Sequence, residues 1–82
     1  MRLLKFEADW CGPCKMLTMT MEDINFPFPI ERIDIDKNRD ATIEYGVRGV
    51  PCLILLDDHN NIIKRVSGAL TKQQLTEAFD IQ

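Results

Sequence analysis

Cys11 and Cys14, spaced as Cys11-Gly12-Pro13-Cys14, are the side chains whose type and spacing most clearly support chemistry. Thiols at i and i+3 of a helix start lie on one side of the first turn, so their sulfurs can reach bonding distance. Unpaired N–H groups and the positive end of the helix dipole favour a thiolate there. Thiolate, not thiol, is the nucleophile. Gly12 and Pro13 shape the turn, and proline costs little where N–H groups have no helical partner. The spacing admits two chemistries, thiol–disulfide exchange and metal binding. Structural zinc calls for four ligands, and only Cys52 and His59 remain, His59 in a polar turn. Exchange is therefore the preferred reading, with no metal and no cofactor expected. Cys14 belongs to an apolar helical stripe and is placed inward, whereas Cys11 lies a turn earlier, at an exposed helix start. Cys11 is thus the candidate attacking thiolate, and Cys14 the thiol that resolves the mixed disulfide.

The elements that must position this pair follow from hydrophobic period. In Arg2–Ala8, Leu4, Phe6 and Ala8 alternate with Leu3, Lys5 and Glu7, a period of two that predicts a strand. Cys14, Leu17, Met21 and Ile24 recur at helical spacing behind the motif, and Met16 and Met19 are expected to flank that stripe as packing. Two prolines in Asn25–Pro29 end the helix. Ile30–Ile35 is a second strand, Asn38–Tyr45 a short helix closed by Gly46, and Cys52–Leu56 with Ile62–Val66 a hairpin. Thr71 and Gln74 fit a capping box, and Leu70 with Leu75 a hydrophobic staple, at the start of a last helix. The order β-α-β-α-β-β-α gives an α/β fold with a four-stranded mixed sheet and helices on both faces. A right-handed crossover makes the first two strands parallel neighbours.

Eighty-two residues make one domain, 1–82. A net charge of −3, with basic residues scattered, argues against nucleic acid as a partner. No stretch approaches the length of apolar chain needed to span a membrane, and no secretory signal precedes the motif, so a cytoplasmic protein is expected. An odd count of three cysteines argues against a purely structural disulfide framework. Cys52 is expected to be a small buried residue at a strand start, and a monomer is the default.

At Ala8-Asp9-Trp10-Cys11-Gly12-Pro13-Cys14-Lys15 the chain resembles the thioredoxin family. The resemblance continues through Tyr45-Gly46-Val47-Arg48-Gly49-Val50-Pro51, like the family's cis-proline loop, and Ser67-Gly68-Ala69-Leu70-Thr71-Lys72, like the segment before its last helix. It covers essentially the whole chain and implies a minimal thioredoxin fold. It also implies a cis Pro51 beside the sulfurs and a Val50 backbone that pairs with an extended substrate segment. Trp10, Gly12, Pro13, Gly68 and Ala69 would complete an apolar apron. The implied activity is dithiol–disulfide oxidoreduction of disulfide-containing proteins. Thioredoxin reductase or glutathione would be the electron source, and ribonucleotide reductase a candidate partner.

The chain departs from the family in three places. The family's usual first strand and helix have no counterpart, which leaves Ile30–Ile35 at a sheet edge whose charges suit protection from edge pairing. Met19 stands where a kinking proline is common. Lys5 aligns with a buried family aspartate that assists proton transfer from the inner cysteine. Lys5, Glu7, Arg32 and Asp34 would form a mixed-sign cluster, read either as a partly solvated salt-bridged face or as a replacement in which Glu7 accepts the proton. Two other functions stay open: a glutathione-dependent, glutaredoxin-like reductase, and a binding subunit whose thiols are dispensable.

Overall fold

The alternating segment forms β1 (Arg2–Glu7), and the stripe behind the cysteines forms α1 (Gly12–Glu22). There follow β2 (Ile30–Asp34), α2 (Arg39–Glu44), β3 (Cys52–Leu56), β4 (Ile62–Ser67) and α3 (Lys72–Ala78). The structure, a computed structural model, describes residues 1–81. Its sheet has the order β2-β1-β3-β4, with β1 and β2 parallel and the other pairs antiparallel. β1 is therefore central, and Phe6 stands in register with Ile33 on one side and Cys52 on the other.

Alternation along β1 sends side chains to two separate cores. Leu3 joins Leu53, Leu55, Leu17 and Met21 under α1, with Leu75 and Phe79 of the α3 end completing that layer. Leu4 and Phe6 join Ile33, Ile54 and Leu56 on the opposite face, where Ala41, Tyr45 and Val47 of the α2 region cover them. Each fully buried Leu, Ile or Phe contributes roughly 1.5–3 kcal/mol. These two layers fix the sheet between its helices.

Local signals set the element ends. Thr71 Oγ1 accepts from Gln74 N at 3.1 Å and Gln74 Oε1 accepts from Thr71 N at 2.9 Å, so the capping box at α3 is complete. Leu70 packs on the cluster that holds Leu75, as a staple requires. Gly46 takes a φ of +63° just past α2, a conformation that side-chain-bearing residues adopt at a cost. In the β3–β4 turn, the Asp57 carboxylate accepts from the N–H groups of His59 and Asn61. The Asn61 bond, first among these contacts, holds that carboxyl below its usual range. His59 is part of this turn's scaffolding.

The structure corrects one packing expectation. Met16 and Met19 are 63% and 70% exposed, so they form no part of the core under α1. Only Met21 packs there.

Candidate active site

The site is assembled where β1 ends and α1 begins. Cys11 is the N-cap residue of α1, Gly12 and Pro13 form its first positions, and Cys14 is the third. The two sulfurs are joined in a disulfide, with the Cα atoms 5.2 Å apart. Cys14 N donates to Cys11 Sγ at 3.1 Å, so one orphan N–H of the helix start is aimed at the outer sulfur. Ala8, Cys11 and Cys14 form a small apolar cluster against which Ile35 and Val50 pack.

Exposure does not distinguish the sulfurs as the sequence suggested. Cys11 is 4% exposed and Cys14 3%. The helix start is exposed at Trp10, Gly12 and Pro13, but Cys11 is buried in the cluster with Ala8 and Cys14 against which Ile35 and Val50 pack. Hydrogen bonding distinguishes them instead, because the Cys11 sulfur alone receives a helix N–H. A sulfur so placed is the better thiolate.

Trp10 stands 68% exposed beside the pair, and its Nε1 donates to Asp36 Oδ2 at 2.9 Å. That bond orients the indole while leaving its face open. The Val50–Pro51 peptide is cis. Val50, Pro51, Cys52 and Gly68 line one groove together with Arg48 and Arg65. Gly68 N donates to Pro51 O at 3.0 Å, which ties the segment before α3 to the proline loop. Ala69 follows at an exposed position. Cys52 is free and buried at the start of β3.

Glu7 and Arg32 of the charge cluster line one cavity with Cys14. Lys5 is 3% exposed, deeper than a partly solvated face would place it. Its Nζ is 2.9 Å from Glu7 Oε1, while Arg32 reaches Glu7 Oε2 through Nη2 at 2.6 Å and Nε at 2.9 Å. Asp34 is directed elsewhere, its carboxylate accepting from Asp36 N at 2.9 Å. Burial pushes the Glu7 carboxyl up, but the hydrogen bonds and charges of Arg32 and Lys5 together outweigh it and hold the group below its ordinary 4.5. Sequence reading overlooked Thr18, which receives a hydrogen bond from Lys5 Nζ and donates to Cys14 O at 3.0 Å. Its position four residues after Cys14 was the available signal.

The depressed Glu7 carboxyl has a consequence for stability. A carboxyl with a lowered folded pKa stabilises the fold above its unfolded value, and the contribution is lost as pH falls through the folded value. The Glu7 contribution should therefore be complete above pH 4.5 and disappear below it. Urea denaturation of the parent and Glu7→Gln should show a stability gap at pH 7 that closes on acidification. A gap that stays constant with pH would contradict the ion-pair reading.

The thioredoxin family model matches residues 1–80. The thioredoxin of Pseudomonas aeruginosa is 38% identical over 82 residues, covering 95% of this chain and 75% of that protein. That of Chlamydia pneumoniae is 42% identical over 81 residues, covering 95% of this chain and 78% of the relative. Among solved structures, a thioredoxin mutant from Halobacterium salinarum superposes with a TM-score of 0.86 at 36% identity. That match covers 96% of this chain and 71% of the other.

Proposed function

The chain belongs to the thioredoxin family and is a dithiol–disulfide oxidoreductase, and within that activity we propose that Cys11 is the attacking sulfur and Cys14 the resolving one. The observation that carries this assignment is the helix N–H that Cys14 donates to Cys11 Sγ at 3.1 Å. The reaction starts from the reduced dithiol. The Cys11 thiolate attacks one sulfur of a substrate disulfide; that S–S bond breaks, and the other substrate sulfur leaves as a thiolate and takes up a proton. Cys14, deprotonated, then attacks Cys11 Sγ. The Cys11–Cys14 bond forms, the bond to substrate breaks, and the second substrate sulfur leaves. Two electrons pass from the dithiol to the substrate, and a reductase restores the pair.

We assign the groove of Val50, Pro51 and Gly68 to the extended substrate segment, with Val50 supplying backbone contacts beside Cys11. Its packing against the cluster of Ala8, Cys11 and Cys14 supports this placement. Trp10, Gly12, Pro13 and Ala69 would form the remaining contact surface, exposed as they are around the sulfurs. The natural substrates are disulfide-containing proteins, with ribonucleotide reductase one candidate. A dithiol that must be reduced after each turnover suits the cytoplasm, and no helix among the described residues is long and apolar enough to cross a membrane.

For the electron source we favour thioredoxin reductase over glutathione, on the Gly12-Pro13 spacer and the adjoining Trp10. NADPH-coupled reduction of insulin disulfides should proceed with thioredoxin reductase and stay at background with glutathione and glutathione reductase. Turnover confined to the glutathione arm would reverse that assignment.

A further inference from the structure

The groove assigned to the substrate segment carries a charge that the exchange steps do not use. The chain has 13 acidic and 10 basic residues, a net charge of −3. Arg48 and Arg65 nevertheless both line this groove, and no carboxylate among the described residues lines it with them. It measures about 500 Å³, and its remaining walls are glycines, Val50, Pro51, Cys52 and Ser67.

The fold brings the two guanidiniums together from distant segments. Residues in register across an antiparallel pair project from the same face of the sheet. Arg65 is in register with Ile54 and Ser67 with Cys52, and Ile54 and Cys52 belong to the core layer covered by the α2 region. Arg65 therefore stands on the α2 side, where it donates to the carbonyl of Tyr45, the residue that caps α2. That bond braces the side chain and uses one of its five N–H donors. Arg48 comes three residues after Tyr45 and is exposed. It makes no ion pair among the described residues. Only Gly49 separates it from Val50, which packs on the cluster that holds the sulfurs. A segment extended past Val50 presents alternate side chains to one face, so a side chain about two residues from the one beside Val50 comes level with Arg48.

We propose that Arg48 and Arg65 are specificity-determining residues that receive a substrate carboxylate about two residues from the attacked cysteine. The preferred substrates are then protein disulfides flanked by acidic side chains. A guanidinium matches a carboxylate in shape, and its charge-assisted hydrogen bonds are stronger than neutral ones. The groove is continuous with Val50 and the cysteines, so the chain that enters it is the one being reduced. The net charge of −3 opposes an acidic substrate, and a preference for one must therefore come from this local pair. The inference rests on attack by Cys11 and on the groove holding the substrate segment.

The test uses short cysteine peptides activated as mixed disulfides with 2-nitro-5-thiobenzoate and mixed with the reduced full-length protein. Attack on the peptide sulfur forms the protein–peptide disulfide and releases the coloured thiolate, the better leaving group. Peptides differ only in Glu, Gln or Lys placed about two residues before or after the cysteine. On one side of the cysteine, Glu should react about three- to tenfold faster than Gln, the range that one or two partly screened ion pairs supply. Lys should react more slowly than Gln there, and raising salt to about 1 M should bring the three rates together. Arg48→Gln combined with Arg65→Gln should remove the Glu-to-Gln ratio, and Arg48→Glu should turn the preference toward Lys. Equal rates for Glu and Gln, rates that follow total peptide charge whichever side carries it, or a ratio unchanged in the double variant would overturn the proposal. Should the variants fail to fold, the parent decides alone: a one-sided, salt-sensitive Glu preference supports the proposal and any other pattern overturns it. Mapping the Gln-peptide adduct in Cys14→Ser keeps the two readings apart. An adduct on Cys11 without Glu preference overturns this inference only, and an adduct on another sulfur overturns both.

Discussion

Cys11→Ser lowers kcat/KM for protein disulfide reduction by at least about 10³-fold, because it removes the bond-forming atom itself. A serine hydroxyl in the same place would still receive the N–H of Cys14 at the helix start. It ionises far too weakly to attack a disulfide. Cys14→Ser should fail differently. The first exchange proceeds, the second does not, and turnover stops after about one equivalent of substrate thiol is released. The reductase-coupled insulin assay reads both effects. Residual turnover of Cys11→Ser within tenfold of the parent would show that another sulfur attacks, and Cys52 would then be the first to examine.

The second large effect is on the scaffold. Phe6→Ala should cost about 3–5 kcal/mol, through lost burial and the cavity left between sheet and helix. Phe6 is fully buried in the central strand, paired in register with Ile33 and Cys52, and its ring lies 6.0 Å from that of Tyr45. A chain of this length has a total stability of about 4–12 kcal/mol, so the loss consumes much of the margin. Urea denaturation should show a lower midpoint with an unchanged slope. The functional link runs through Tyr45 and Val47, which pack on the cluster that holds Phe6 just before the loop carrying Val50 and Pro51. A loss under about 1 kcal/mol, where truncating a buried Phe ordinarily costs several times that, would mean that this face is held by other contacts.

Most of the scaffold was legible because its signals are local or periodic. Alternation in β1, helical spacing of Cys14, Leu17 and Met21, and the Thr71–Gln74 box each name an element and its inward face. Strand order followed from the crossover and the hairpin. Met16 and Met19 lie outside the core because their angle around the helix, not their apolar type, decides where they point. They sit about 200° and about 140° around the helix from Cys14, well off the buried stripe. The Cys11–Cys14 pair was legible as chemistry, but the basis of its asymmetry was not. The sequence suggested a difference in exposure, and the structure shows a difference in hydrogen bonding. Lys5 marks the same limit. Alternation put it on a face with Glu7, yet its depth depends on how α1 lies over β1, with Thr18 capping the ammonium. The groove with Arg48 and Arg65 brings together residues far apart in sequence, which no local pattern reports.

The measurement that bears most directly on the central claim is intact-mass and peptide mapping of the adduct formed when reduced Cys14→Ser meets a disulfide substrate. The account predicts a stable mixed disulfide, one per molecule, mapped to Cys11. An adduct mapped to Cys52, or none under conditions where the parent turns over, would contradict it.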